Sequence, residues 1–284
     1  MRPVYILFIA IALIAACQTE KNKPKANIHL PFRKDSLAGN WMIISLNSTS
    51  SNKQYEDFMD SVINPLKEKI VLCAFSFQPA GTVLIDEGKV ERTNGQWQFN
   101  SAKQLLIQQK DTSLFTMPPF SVTRYRNDSL TLENIIENRK ENLHIRYILK
   151  RLRNNDSVPN LFDPALNKWR EKPLHAEDET AIRSRLKQVL YYYAAYFANI
   201  SGNKIPVFNL QKILCPILFY SGGIGLQKFH KSNEWKKIFY DSSDAEKAHG
   251  MLDKAFSHIT NYPDQGGDYV QEYVIALKMV ADAL

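Results

Sequence analysis

Cysteine is scarce in this sequence, and long apolar runs are absent beyond its first segment. The 284 residues include three cysteines, at positions 17, 73 and 215, too few for a fold built on disulfides. A later apolar stretch, Val207–Tyr220, is 14 residues long and contains Pro216. That is too short to cross a bilayer as a helix. Hydrophobic residues make up 44% of the chain and charged residues 23%, as in an ordinary globular protein.

The sequence also lacks the short motifs of common catalytic and metal sites. Its six histidines form no HxH or HExxH arrangement, so we predict no metal centre. Gly222-Gly223-Ile224-Gly225 lacks the Lys-Ser/Thr ending of a phosphate-binding loop and is predicted to be a turn. No Ser/His/Asp, Cys/His or paired-carboxylate set has a signature spacing. These absences favour a non-enzymatic function without a cofactor.

The net charge of +7 raises the question of an anionic partner. The Lys and Arg residues are scattered along the sequence, and two dense groups, Lys21–Lys25 and Lys150–Arg153, fall in or beside predicted linkers. No known nucleic-acid-binding motif is present. We therefore predict no nucleic-acid site.

The first segment has the layout of a bacterial export signal. Arg2 supplies a positive charge, and the apolar run Val4–Ala16 ends at Cys17. Ile14-Ala15-Ala16-Cys17 resembles the lipobox of bacterial lipoproteins. The resemblance implies that residues 1–17 are a lipoprotein signal peptide with its lipobox, cut so that Cys17 becomes the first residue and carries acyl chains such as palmitate. Gln18 rather than Asp after the cysteine implies the outer membrane, on either face; the alternative is an ordinary signal peptide in which Cys17 is incidental.

Two polar segments divide the rest of the chain. Residues 18–35 contain two prolines and are predicted to be an extended tether. Residues 153–162 include Asn154-Asn155-Asp156-Ser157 and are predicted to be a linker. A strand-rich domain, 36–152, lies between them, and a helical domain, 163–284, follows. The predicted fold class is α+β, with two domains.

The strand-rich segment alternates apolar and polar residues over about eight short stretches separated by turns. This pattern is typical of an up-and-down antiparallel barrel. Leu37-Ala38-Gly39-Asn40-Trp41 matches the Leu-x-Gly-x-Trp opening of lipocalin-like domains. The resemblance implies a lipocalin-like β-barrel in which strand order follows chain order and Trp41 closes the bottom.

Alternation places a set of large apolar side chains on the inner face of this barrel. An eight-stranded barrel is just wide enough to be filled by side chains or to hold one small molecule. The set either lines a pocket or fills it, and large aromatic side chains on a core face favour filling. A predicted amphipathic helix, Gln54–Lys69, is either a lid or a packed insertion. The pocket candidates are Phe75, Phe77, Val83, Ile85, Trp97 and Phe99.

Helical periodicity dominates the second domain, which is predicted to be a bundle of about four helices. A long amphipathic helix is predicted over Ala176–Ile200, a later one begins at the capping box Ser243-x-x-Glu246, and Asp268 is predicted to cap the last. Val207–Tyr220 is predicted to be a buried helix or an irregular core segment. Tyr191-Tyr192-Tyr193 covers more than one helix face, which predicts packing between the domains or a partner surface.

The leading functional hypothesis is a membrane-anchored envelope lipoprotein that acts as a non-enzymatic binding or interaction module. Its partner is then an unknown envelope protein or a small apolar ligand. The first alternative is a carrier of a small hydrophobic ligand in the barrel, and the second is a hydrolase with a site between the domains. Cys73 and Cys215 lie in apolar runs of different predicted domains, which favours buried thiols over a disulfide.

Overall fold

The computed structural model describes ten separate stretches of the chain. The predicted signal peptide with Cys17, most of the predicted tether and the predicted helix Gln54–Lys69 lie outside them. Within the part of the chain that the structure describes, no helix combines the length and apolarity needed to cross a membrane. The described residues are 34–50, 73–109, 119–126, 128–138, 141–153, 159–199, 215–220, 223–226, 233–259 and 269–284.

Eight antiparallel strands follow each other in chain order and close into a barrel. Each strand pairs with the next, and the eighth returns to pair with the first. The predicted up-and-down order of eight strands is therefore confirmed. A short helix, α1 (Lys34–Leu37), precedes the barrel. The strands are β1 (Gly39–Ser50), β2 (Ala74–Phe77), β3 (Thr82–Asp86), β4 (Thr93–Phe99), β5 (Gln104–Gln109), β6 (Phe120–Arg126), β7 (Ser129–Asn138) and β8 (Glu141–Arg151).

Alternation along the strands separates an apolar interior from a polar exterior. In β4, Gly95 and Trp97 are buried while the residues on either side of them are more exposed. The tight turn between β2 and β3 depends on Gly81, whose φ of +89° is a conformation that favours glycine. The buried barrel core consists of Leu37, Trp41, Ile43, Leu46, Cys73, Phe75, Phe77, Val83, Ile85, Trp97, Leu105, Ile107, Phe120, Val122, Leu130, Leu132, Ile145, Tyr147 and Leu149.

The described residues after position 158, here called the helical body, are mainly helical. Two 3-10 helices, Pro164–Leu166 and Lys168–Arg170, lead into α2 (Glu179–Ala198), which begins at its N-cap Asp178. A two-stranded antiparallel sheet follows, and then three more helices. These elements are β9 (Ile217–Tyr220), β10 (Gly223–Leu226), α3 (Asn233–Lys236), α4 (Ser242–Ser257) and α5 (Tyr269–Ala283).

Three local expectations for the helical body are corrected. The segment Val207–Tyr220 ends in strand β9, because its last four residues are branched or aromatic and pair with β10. Gly223 and Gly225 lie in β10 and not in a turn. Helix α4 is capped by Asp241, whose carboxylate accepts a hydrogen bond from the Asp244 amide at 3.0 Å. Ser243, the predicted cap, lies inside the helix, because the helix begins at Ser242 and Asp241 caps it.

The helical body packs on the outside of β1, β2 and β3. Met42, Ala74 and Asp86 are neighbours in the register of these strands, face outward and are fully buried. Strand β2 is buried on both faces, because one face meets the barrel core and the other meets the helices. Met42, Ala74 and Val90 belong to the same apolar cluster as α2. The barrel and the helical body therefore share a packed interface.

Candidate functional site

The Leu-x-Gly-x-Trp motif forms a closed end of the barrel. Trp41 donates an indole hydrogen bond to the Leu37 carbonyl at 2.9 Å, and both side chains are fully buried. Gly39 between them has a φ of +126°, which side-chain-bearing residues rarely adopt. The spacing of the motif thus reflects the turn that carries the chain from α1 into β1.

Arg151, at the end of β8, covers this closed end. Its guanidinium carbon lies 4.7 Å from the Trp41 ring centroid, within the range of a cation–π contact. Its Nη2 donates hydrogen bonds to the carbonyls of Ser36 at 2.9 Å and Ala38 at 3.3 Å. One side chain therefore ties the last strand to the first strand and to α1.

The six pocket candidates lie together inside the barrel, where three ring contacts link the aromatic ones. Phe77 stacks on Phe75 with ring centroids 5.6 Å apart, and Trp97 meets Phe77 edge-on at 5.6 Å. Trp97 also meets Phe99 edge-on at 6.1 Å. Contacts of this kind are favourable between aromatic rings. The buried candidates are Phe75, Phe77, Val83, Ile85 and Trp97, and Phe99 is partly buried.

Tyr147 in β8 is an interior group that the sequence reasoning missed. Its side chain is 6% exposed, and its ring meets Phe120 edge-on at 5.3 Å. In the strand register it lies between Leu46 of β1 and Leu132 of β7, which are both buried. Its hydroxyl has no hydrogen-bond partner among the described residues. Burial raises the pKa of this phenol to about 12, so Tyr147 offers a neutral hydrogen-bonding group on the inner face of the barrel.

Among the described residues, the barrel interior beyond the closed end contains no buried charged side chain. Among the buried residues that the structure describes, the charged ones are Asp86 and Asp244. Asp86 faces the helical body, and Asp244 lies in α4. An ionised group is costly in an apolar environment without an opposite charge. The interior therefore suits a neutral apolar molecule with a hydrogen-bonding group.

A second polar cluster lies at the junction of the barrel and the helical body, centred on Asp86. Its carboxylate is 0% exposed. Arg92 Nε donates to Oδ2 at 2.8 Å, and Arg170 Nη2 donates to both oxygens at 3.0 Å. The Tyr192 hydroxyl and the Gly88 amide donate to Oδ1, each at 2.9 Å. The carboxylate is thus enclosed and fully hydrogen-bonded, an arrangement that holds the two bodies together and excludes a substrate.

The arginines of this cluster extend the junction further. Arg92 Nη2 donates to the Leu161 carbonyl at 2.9 Å and to Asn167 Oδ1 at 2.7 Å. The Arg170 guanidinium lies 4.7 Å from the Tyr192 ring centroid. Leu161, near the end of the predicted linker, is fully buried. The chain entering the helical body is therefore part of the interface.

The predicted tyrosine cluster supplies much of the same junction. Tyr192, Tyr193 and Tyr196 are fully buried, and the Tyr193 hydroxyl donates to the Gly88 carbonyl at 2.6 Å. Burial raises the pKa of all three phenols. Tyr191 is 36% exposed and donates to Asp282 at 2.5 Å. Of the two alternatives for this run, the structure shows packing between the barrel and the helical body for Tyr192 and Tyr193.

The two cysteines in the described residues are buried and do not form a disulfide. The Tyr273 hydroxyl lies 2.8 Å from Cys215 Sγ, and burial raises the pKa of the Cys215 thiol to about 12. Such a thiol stays protonated and is a poor nucleophile. Within the described stretches, no group of three or more His, Cys, Asp or Glu side chains could hold a metal ion.

Comparison with known proteins gives a distant structural likeness. No protein-family model and no curated protein matches the chain. A DUF4847 family protein from Bacteroides vulgatus is 12% identical, with 39% of this chain and 91% of that chain covered and a TM-score of 0.24. Two structures of bovine odorant-binding protein each match 49% of this chain and 80% of their own chain, with a TM-score of 0.25. The complex with its natural ligand is 14% identical to this chain, and the complex with a selenium-containing odorant is 15% identical. At these values the likeness assigns neither a family nor a ligand.

Proposed function

We propose that this protein is a lipid-anchored binding protein of the bacterial outer membrane, whose lipocalin-like barrel holds a small neutral apolar ligand. The anchor is supported by the lipobox that ends at Cys17, and the location by Gln18. Tyr147 is the observation that carries the ligand, because its hydroxyl has no partner among the described residues and lies on a mainly apolar interior wall, which also includes Asn134.

The chemistry around Tyr147 defines the class of ligand. A hydrogen bond between neutral groups contributes about 0.5–1.5 kcal/mol. A carbonyl, ether or hydroxyl oxygen on the ligand gains such a bond from the Tyr147 hydroxyl, while Phe120 and Leu132 contact its apolar part. A carboxylate ligand gains no ion pair from the buried residues described here. The proposed ligand is therefore a neutral molecule with an apolar body and one oxygen function.

Packing at the closed end confines the proposed ligand to the part of the barrel beyond it. Phe77 pairs with Gly39 in the strand register, so the row of aromatic rings starts at the closed end. Tyr147 is four residues before Arg151 on β8, about 13 Å along the strand. The rings pack at the closed end, and the ligand is proposed to bind beyond them, beside Tyr147.

A hydrolase is not proposed. That hypothesis needs a nucleophile or a carboxylate that a substrate can reach between the two bodies. The junction holds Asp86 with two arginines, but the carboxylate is 0% exposed and engaged in five hydrogen bonds. The helical body is proposed to be a fixed support for β1, β2 and β3.

The ligand is tested first by native mass spectrometry of residues 18–284, purified gently from a bacterial periplasm. We expect a bound neutral molecule that is lost on denaturation. Fluorescence titration with Nile red, a neutral dye with a carbonyl oxygen, then gives the affinity of the barrel for a neutral apolar molecule. Competition of decanol and of decanoate with the bound dye compares a neutral and a charged headgroup on the same alkyl chain. Decanol should compete and decanoate should not.

The role of Tyr147 in ligand binding is tested by the variant Tyr147→Phe. The matched control is Tyr240→Phe, at an exposed tyrosine of the helical body. Loss of one hydrogen bond should weaken the affinity for decanol about 5–10-fold, and the control should bind decanol as the wild type does. A bare mass together with no Nile red binding would overturn the carrier proposal. Equal decanol affinity in wild type and Tyr147→Phe would overturn the role of Tyr147.

The anchor has a separate test. Cys17→Ser should accumulate as an unprocessed precursor that incorporates no radiolabelled palmitate, because the acylation chemistry needs the thiol. Normal processing and membrane fractionation of this variant would overturn the lipoprotein assignment and leave the ligand proposal intact.

A further inference from the structure

The outer surface of the barrel carries a cluster of cations that are far apart in sequence. Arg126 of β6, Ser129 of β7 and Lys150 of β8 are neighbours in one row across the sheet. Arg124 is two residues before Arg126 on the same face. The spacing of strands and residues places the Cα atoms of Arg126 and Lys150 about 10 Å apart, and those of Arg124 and Arg126 about 7 Å apart. We call Arg124, Arg126 and Lys150 the basic face; all three are exposed.

The basic face has no anionic partner among the described residues. The carboxylates nearby are already engaged: Asp128 pairs with Arg153, and Glu133 lies 3.0 Å from His144 Nδ1 and 3.3 Å from Arg146 Nε. Each of these carboxylates therefore has its own cation, and no carboxylate of the described residues pairs with the basic face. A patch of this kind attracts an anionic ligand.

The basic face lies at the barrel end where the predicted tether joins. Lys150 precedes Arg151, which binds the Ser36 carbonyl just after the start of α1 at Lys34. Sixteen residues separate Cys17 from Lys34, a reach of at most about 55 Å when fully extended. An acylated Cys17 thus keeps this end of the barrel within that distance of the bilayer. The helical body covers β1, β2 and β3 and leaves the outer face of β6, β7 and β8 exposed.

We propose that the basic face docks the barrel onto anionic phospholipid headgroups of the membrane that holds Cys17. This inference rests on the lipid anchor of the proposed function for its orientation. Guanidinium groups donate paired hydrogen bonds to phosphate oxygens, and Lys150 adds a point charge. The anchor raises the local concentration of headgroups, so weak contacts suffice. Docking holds the closed end toward the bilayer and fixes the orientation of the barrel.

Sedimentation with lipid vesicles tests the docking surface without the anchor. Residues 18–284, which include every described residue, are mixed with vesicles of phosphatidylcholine alone or with phosphatidylglycerol added. We expect binding to the anionic vesicles that weakens with added salt. Each Lys or Arg near an anionic surface contributes about fivefold in partitioning, so the triple variant Arg124→Gln/Arg126→Gln/Lys150→Gln should lose roughly 100-fold.

The matched control is Lys172→Gln/Lys254→Gln/Lys278→Gln, which removes three exposed cations from the helical body. It should bind the anionic vesicles as the wild type does, and circular dichroism should show both triple variants folded. Equal losses of vesicle binding in the two variants would show that the net charge of the protein drives binding, and would overturn the role of the basic face. Absence of wild-type binding to the anionic vesicles would overturn the membrane as the occupant, and binding of inorganic phosphate by the same protein would then identify a free anion as the ligand. Because the protein used in this experiment, residues 18–284, carries no acyl group, these outcomes are independent of the Cys17→Ser result.

Discussion

Arg151 lies over the ring of Trp41, with 4.7 Å between the guanidinium carbon and the ring centroid. The two residues belong to the last and the first strand of the barrel and are neighbours in the register that closes it. The same guanidinium donates to the carbonyls of Ser36 in α1 and of Ala38, which follows it. One side chain therefore contacts the seam of the barrel, its closed end and α1.

Replacement of this arginine by lysine tests that dependence. Arg151→Lys keeps the charge but loses the planar fork that stacks on Trp41 and donates to two carbonyls. We expect a loss of about 1–3 kcal/mol in the free energy of unfolding, measured by urea denaturation with tryptophan fluorescence. The control Arg124→Lys, at an exposed arginine of β6, should leave the midpoint unchanged. Equal midpoints for both variants would contradict a structural role for Arg151.

Asp86 provides a stronger test at the junction. Asp86→Asn leaves Arg92 and Arg170 partly buried without their anionic partner, which costs about 3–5 kcal/mol. Tyr192→Phe removes one hydrogen bond from the same carboxylate and should cost about 1–2 kcal/mol. Urea denaturation measures both, with Asp253→Asn on the surface of α4 as control. A small loss in Asp86→Asn would mean that apolar packing alone holds the two bodies together.

Periodicity predicted the elements of this fold better than the contacts between them. The eight strands follow from alternation and turn residues, because each strand is a local pattern. The Asp86 cluster could not be found this way, since Arg170 and Tyr192 lie 84 and 106 positions away. The sequence gives one weak indication of Tyr147, because its hydroxyl is the single polar group between Ile145 and Leu149 on an apolar stripe. Tyrosine is common in strands, so this pattern alone does not single it out.

The missed and corrected features have the same physical cause. The basic face depends on the strand register, which brings β6 and β8 to either side of β7. Strands β9 and β10 have four residues each, too few for periodicity to distinguish them from a helix or a turn. Their pairing is a tertiary contact that overrides local preference.

Two glycines give a matched pair of stability predictions. In β4, a Cβ on Gly95 would lie 2.6 Å from the Gln108 carbonyl oxygen, which is backbone and cannot move aside easily. Gly95→Ala should therefore lower the free energy of unfolding by about 1–3 kcal/mol. In α4, a Cβ on Gly250 would meet nothing within 4 Å. Gly250→Ala should therefore raise the free energy of unfolding by about 1 kcal/mol. Thermal denaturation of both variants checks the opposite signs, and shifts in the same direction would contradict the geometry.

Alkaline pH should destabilise the protein through its buried phenols. Unfolded tyrosine loses its proton near its ordinary pKa of about 10, whereas folded Tyr147 keeps its proton until about pH 12. Between these values the native state binds more protons than the unfolded state, so stability is full below the lower value and falls as pH rises. Each such group steepens the fall by about 1.4 kcal/mol per pH unit.

The measurement is urea denaturation at a series of alkaline pH values, with tyrosinate absorbance recorded in parallel. Tyr192, Tyr193 and Tyr196, whose pKa values are also raised by burial, should ionise only as the protein unfolds. Tyr147→Phe should flatten the slope by one proton, because it removes a group that the native state holds protonated, and Tyr240→Phe should not. Reversible ionisation of all tyrosines near their ordinary pKa in the folded protein would contradict the burial of this set. A flattened slope without any change in decanol affinity would separate the burial of Tyr147 from its proposed contact with a ligand.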